Sequence, residues 1–230
     1  MVSLAWEAPM KKPLLIAFFA FDALLMGLIV LIFVQPDEVR VQRSATVSAS
    51  VGDVFPLIND FANFPSWSPW QELDPGINVA TSDPSSGPGA WYTWEGNDDV
   101  GKGKMTNLAT VDNTSVSQDL AFLEPFESNA KVLLEVKAVD GGTEVTWTMD
   151  IEQGFVAKGM SLVMDMDQMV GGDFERGLTN LQREGASAAA QRQATEKASA
   201  EATAEPPSEG DDDSQLDPKE GPDEGSTEGG

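Results

Sequence analysis

Along this chain the spacing of apolar residues changes from continuous to alternate to helical, and each change marks an element. Leu14 to Val34 is an apolar run of 21 residues with one charge, Asp22. At 1.5 Å per residue it makes about 31 Å of helix, enough to cross the hydrocarbon core of a bilayer. After Pro36, the stretch from Val39 to Ser48 alternates apolar with polar, the period of a strand. Ser50 is placed to cap a short helix over 51–59, with Asp53 in its first turn. A second helical turn over 60–64 is expected to end at Pro65, ahead of Trp67-Ser68-Pro69-Trp70 and a Pro/Gly-rich loop.

From there the texture is strand and turn. Strands are predicted over 77–82, 90–96, 101–111, 114–123, 130–139 and 144–152, with Asp112-Asn113 and Asp140-Gly141-Gly142 as hairpin signals. The last is the clearest: Val145, Trp147, Met149 and Ile151 share one face against Thr146, Thr148 and Asp150. The period then becomes helical over 158–183. Met160, Val163, Met166, Val170, Phe174, Gly177, Leu178 and Leu181 form one broad stripe, with Asp167 inside the apolar arc. Gly171-Gly172 interrupts this helix and predicts a kink.

This order predicts an α+β domain over 37–184, a curved antiparallel sheet wrapped around its long C-terminal helix. It is preceded by a short lead (1–13) and a transmembrane helix (14–34). The rival for the apolar run, a cleavable signal peptide, would have a shorter core, and Leu31 to Pro36 offers no small-x-small cleavage site. Lys11 and Lys12 before the span lean toward an inside N-terminus, which makes this a single-pass protein of the plasma (inner) membrane with its domain on the outer, periplasmic face. Residues 185–230 read as an acidic, disordered tail, although the Ala-rich part, 186–204, could continue the helix for some turns.

Composition narrows the chemistry. The chain has neither Cys nor His, which removes thiolate catalysis, disulfides and histidine acid–base chemistry. Its net charge of −24 argues against a nucleic-acid partner. No metal site or cofactor is implied. The Met-rich last helix, with Met160, Met164, Met166 and Met169, and the small residues Gly101 and Gly103 in a facing strand favour an open cavity over a filled core.

The residues Arg43-Ser44, Val54-Phe55, Trp67-Ser68-Pro69-Trp70, Tyr92-x-Trp94-x-Gly96, Gly101-x-Gly103, Pro125-Phe126, Gly142-Thr143-x-Val145-x-Trp147 and Gly171-x-Asp173-Phe174-x-x-Gly177-Leu178 occur in one order across 40–181. In this the chain resembles the START-like, helix-grip superfamily, and within it the polyketide cyclase/dehydrase and lipid-transport-like branch of SRPBCC proteins. The resemblance implies a sheet gripping the C-terminal helix over a deep cavity that takes a hydrophobic ligand. It also accommodates membrane-anchored members with one N-terminal helix.

The expected partners are therefore a hydrophobic, lipid-like small molecule and a membrane. The residues expected to line the cavity are Trp67, Trp70, Tyr92, Trp94, Met105, Trp147, Met149, Met166, Asp167, Val170 and Phe174. Trp67 and Trp70, flanking a Ser-Pro turn, are expected at its rim. Asp167, Asp173, Glu95 and Asn107 are the inward polar candidates. A cyclase or dehydratase acting in the same cavity is the alternative reading, and a scaffold working through its acidic tail is a third. No catalytic constellation stands out.

Overall fold

Seven strands join in one antiparallel sheet in the computed structural model, which describes residues 11–204. Helix α1 (Lys11–Phe33) is followed by β1 (Glu38–Val47), α2 (Val51–Asn59), α3 (Phe64–Trp67) and α4 (Trp70–Leu73). Then come β2 (Asn78–Thr81), β3 (Trp91–Glu95), β4 (Lys102–Val111), β5 (Ser115–Glu124), β6 (Ser128–Val139) and β7 (Gly142–Glu152), and last α5 (Phe155–Met160) and α6 (Met166–Ala204). The sheet order is β1-β7-β6-β5-β4-β3-β2, so β1 pairs with the last strand and the rest form a meander. This is the helix-grip arrangement, α+β, with one apolar helix before it. The chain divides into two units, 1–193 and 194–230, and of the second the structure describes only the helical residues 194–204.

Local chemistry explains the elements. Ser50 caps α2: its side chain accepts from the Asp53 amide while the Asp53 carboxylate accepts from the Ser50 amide, a complete capping box. Pro65 does not end a helix as expected but lies in the first turn of α3, where a missing amide hydrogen costs nothing. In β7 the alternation holds, with Val145, Trp147, Met149 and Ile151 all buried.

The C-terminal helix differs from the expected one in three ways. It starts at Met166, not Lys158: α5 is separate, and residues 161–165 form a turn that leaves Met160, Val163 and Met164 outside the buried stripe. Asp165 opens α6 by accepting from the Gln168 amide, a local cap that favours a start there. The helix runs unbroken through Gly171-Gly172, where Gly171 serves a close approach. A Cβ there would come within 2.0 Å of the Arg43 guanidinium. Finally, α6 continues to Ala204, so 185–204 is helix and not disordered tail. Alanine is the best helix former, and this extension is held on one side by buried Ala189 and by Arg192, which donates to the Asp53 carboxylate on α2. The lead residues 1–10 and the acidic segment 205–230, with Asp211-Asp212-Asp213, lie outside the described residues.

Phe174, Leu178 and Leu181 are the buried stripe of α6. At roughly 1.5–3 kcal/mol per fully buried large side chain, these three hold the helix to the sheet. Gly177 and Gly185 let it come close: a Cβ at Gly177 would meet the Trp147 ring at 2.9 Å, and one at Gly185 would meet Val47 Cγ1 at 2.4 Å.

Candidate functional site: an aromatic cavity

The curved sheet leaves one apolar hollow, and the segment α2–α4 covers it. The sheet contributes Tyr92 and Trp94 from β3, Met105 from β4, and Gln118, Leu120 and Phe122 from β5. Strands β6 and β7 add Val132, Leu134, Trp147 and Met149. Ile58, Phe61, Phe64, Trp67, Ser68 and Trp70 form the roof, and Ile77 and Val100 complete the wall. The enclosed volume is about 60 Å³. At roughly 10–15 Å³ per water molecule that admits a few waters, far below the 300–1,000 Å³ or so of a drug-sized pocket. A larger ligand enters only if the walls move. Trp70, Ile77, Val100 and Phe122 are the half-buried members of the lining and mark the side nearest solvent.

The rings pack edge to face. Phe64 lies 4.9 Å from Trp67 and 5.2 Å from Tyr92, and Trp67 lies 5.3 Å from Trp147. Trp67 is 1% exposed, a packed centre and not the expected rim, with its Nε1–H donated to the Leu57 carbonyl at 2.8 Å. Trp94 donates to the Val100 carbonyl and lies over Gly103, where a Cβ would come within 2.3 Å of its ring. The bare backbone at Gly103 therefore admits a tryptophan and does not create open volume.

Polar groups on the lining are few and uncharged. The Gln118 carboxamide donates to Asn107 Oδ1 at 2.9 Å, and Asn107, 1% exposed, donates to the Asn59 carbonyl. Among the described residues, Trp147 Nε1–H is buried with no partner. Burial pushes the Tyr92 phenol up to about 12, so it stays protonated across the physiological range.

Of the residues expected at the cavity, Trp67, Trp70, Tyr92, Trp94, Met105, Trp147 and Met149 are brought together on its wall. Met166, Asp167, Val170 and Phe174 are not. Phe174 stacks flat on Trp147, centroids 4.0 Å apart, so the indole stands between α6 and the hollow. The cavity therefore lies between the sheet and α2–α4, not between the sheet and the C-terminal helix. At Gly177 the helix comes too close to the Trp147 ring and Pro69 to leave volume there.

Asp167 is exposed and clamps Arg43, which donates to both its carboxylate oxygens at 3.0 Å and to Glu175 at 2.9 Å; this guanidinium holds the Asp167 carboxyl below its usual range. Asp173 pairs with Arg176 and Glu95 with Lys102, both away from the lining. Gln118 was legible but missed: it is the one polar residue in phase with Val116, Leu120 and Phe122 on β5. Ile58, Phe61 and Phe64 carried no signal distinguishing cavity roof from core.

The family model described as "Polyketide cyclase / dehydrase and lipid transport" matches residues 38–185, the sheet together with the core-packed part of α6. The chain belongs to that family. No curated protein matches it. Among solved structures, a protein from Nitrosospira multiformis is similar at 20% identity and a TM-score of 0.48, over 64% of this chain and 95% of its own. A protein from Chromobacterium violaceum is similar at 12% identity and a TM-score of 0.47, over 65% and 96%. The Aha1 dimer from Colwellia psychrerythraea is similar at 13% identity and 0.46, over 63% and 93%. Likenesses this distant carry no ligand or activity to this family member. Helix α1 lies outside the matched residues.

Proposed function

We propose that this domain binds an uncharged, apolar small molecule in the aromatic cavity while α1 anchors it in the plasma membrane, with the domain on the outer face. The observation that carries the binding reading is the lining itself: mostly aromatic and aliphatic side chains, with Ser68 and Gln118 as neutral polar members and no carboxylate, amine or guanidinium. An ionised ligand would lose its hydration there without a countercharge, at a cost of several kcal/mol. A neutral molecule with a flat or branched apolar body gains ring contacts and can offer one acceptor to Trp147 Nε1–H. Because the resting hollow is small, binding requires the half-buried wall at Trp70, Ile77, Val100 and Phe122 to yield.

A cyclase or dehydratase would have to work with Tyr92, the titratable side chain on the lining, and a phenol with so raised a pKa is a poor base. No observation favours that reading over binding. The anchor reading rests on the 20-residue span Leu14–Phe33, apolar but for Asp22 and almost none of it covered by the rest of the protein. The orientation rests on Lys11 and Lys12.

The test titrates the full chain in mild detergent with a neutral naphthalene and with the matching naphthalene carboxylate, following tryptophan emission. The neutral compound is expected to bind and the carboxylate to bind far more weakly. Leu120→Trp, which fills the hollow, is expected to abolish uptake while the chain still unfolds cooperatively. Equal binding of both compounds, undisturbed by Leu120→Trp, would refute the cavity as the site. For orientation, a cysteine at Ser50 should react with an impermeant thiol reagent in intact cells, and protection until lysis would reverse it.

A further inference from the structure

Large apolar side chains are exposed at several places on the sheet and its connections, at Leu108, Val111, Leu123 and Phe126 among them, as on most protein surfaces. Residues 155–169 are different. Phe155, Val156, Met160, Val163, Met164 and Met169 are all exposed within one short stretch, and Val163 is 84% exposed. The buried core does not use them.

The stretch abuts the end of α1. The Phe155 ring lies 5.8 Å from that of Phe33, and Gly159 lies against Ile32, one of the few covered residues of α1. Lys158, whose side chain is 12% exposed, is bonded to Asp37 just past the end of the apolar run. Helix α5 is thus fixed at the level where α1 passes from apolar to polar sequence. If α1 spans a bilayer, that level is the lipid–water boundary, and the exposed apolar side chains of α5 and its following turn are at the same depth.

We propose that α5 and the turn after it form a second membrane contact, a monotopic patch that lies in the lipid interface beside α1. This rests on the anchor reading given under Proposed function. Unbranched Met side chains suit a fluid, irregular partner, and exposed apolar area of this kind binds by insertion into the headgroup–acyl boundary. Charge selects the lipid. Asp165 lies at the end of the turn, Asp167 is already paired with Arg43, the one cation of the stretch is already bonded to Asp37, and the chain carries −24 overall. Anionic headgroups would be repelled, so the partner surface is zwitterionic and the contact insensitive to salt.

The patch has a consequence for the cavity. Strand register places Phe122 opposite Ser128 and Glu38 opposite Glu152, and the Gln153 amide donates to the Asp37 carbonyl. Phe122, on the less buried side of the cavity, is therefore at the same end of the sheet as α5. With strands roughly 4.8 Å apart, only about 14 Å of sheet separates β5 from β1. The patch holds this end of the sheet toward the lipid, where an apolar ligand would be taken up.

The absence of native cysteine makes the test clean. Leu24→Cys, Val163→Cys and Asp140→Cys each take one environment-sensitive fluorophore in the full chain, reconstituted in phosphatidylcholine vesicles. Vesicle lipids carry a nitroxide either near the headgroup or at the acyl terminus. Asp140 lies beyond the opposite end of β7 from Phe155, roughly 30 Å away by strand rise. The expected pattern is quenching at Leu24 by the deep nitroxide, quenching at Val163 by the shallow one, and none at Asp140. Quenching at Leu24 without quenching at Val163 would overturn the patch and leave the anchor standing. Loss at Val163 alone would keep the patch and overturn the anchor, and loss at neither would overturn both. A Val163 probe that is shielded from nitroxide but reports a self-associated chain would assign the face to a second copy and overturn the lipid contact.

Discussion

The two ends of the core-facing part of α6 meet the sheet by different physics. From Phe174 to Ala189 the helix is seated by buried apolar side chains and by glycines that admit rigid neighbours, the Trp147 ring and Val47. From Met166 to Gly171 only the half-buried Met166 and Val170 pack against the core, and a guanidinium does the rest: Arg43 reaches from β1 to Asp167 and Glu175, over the bare backbone of Gly171. Both regions carry a glycine in tight contact, yet the contacts differ in stiffness. At Gly177 the neighbours are an indole and Pro69, which cannot turn away, whereas at Gly171 the neighbour is the far end of a flexible side chain. The lesson is that a short distance constrains a helix only as firmly as the group on its other side.

Removing the strongest element of the rigid end should cost most. Phe174→Ala deletes the ring stacked on Trp147 and is expected to destabilise the domain by about 3–5 kcal/mol in chemical denaturation. A loss below about 1 kcal/mol would show that the seat is formed elsewhere on the helix. Next, Gly177→Ala should cost about 1–3 kcal/mol through overpacking, despite alanine's better helix propensity. Gly171→Ala should be near neutral by the same assay, because Arg43 swings out and the gain in propensity offsets its loss. Equal costs for the two alanines would break the comparison.

The extension of α6 supplies an intermediate case. Arg192→Ala removes the guanidinium that, ahead of Ser50, holds the buried Asp53 carboxyl below its ordinary 3.8. Because Arg192 is itself partly exposed, the expected loss is about 1–2 kcal/mol at neutral pH. The sign follows from the lowered pKa: the contribution is complete above 3.8 and disappears as pH falls through the folded value. Wild type and variant should therefore converge in strong acid, and a constant difference down to that range would exclude the carboxylate as the cause. Arg43→Gln at the flexible end should cost less than Arg192→Ala, since exposed ion pairs contribute little.

Tyr92 gives the sharpest readout, because it is the only tyrosine. Its tyrosinate absorbance should appear with a midpoint near 12, against the ordinary 10.0. Folding favours the neutral phenol, so this contribution to stability is present below 10.0 and lost as pH rises through about 12. Arg43→Gln should leave the midpoint in place. Phe174→Ala, which loosens the wall behind Trp147, should lower it toward 10.0.

Much of the fold was legible because period reports burial. Alternation placed the seven strands, Ser50 and Asp53 marked the start of α2, and a 21-residue run with one charge marked α1. The aromatic half of the cavity was legible too, since Tyr92, Trp94, Met105, Trp147 and Met149 share the inward phase of their strands. The helical side was not. A wheel places Met166, Asp167, Val170 and Phe174 on one arc, but it cannot tell a residue that faces a hollow from one that faces the back of a tryptophan.

What the sequence determined by itself is therefore the strands, their inward faces and the start of α2, because periodicity and residue type are local properties. Tertiary structure decided where the volume lies and how little of it there is. Both depend on distances between residues far apart in the chain: Phe174 on Trp147, Trp94 on Gly103, and Trp67 beneath α2. It also decided that Val163 and its neighbours, which look like part of a buried stripe, lie exposed beside the end of α1, since only packing separates an apolar residue inside the core from one turned toward another apolar phase.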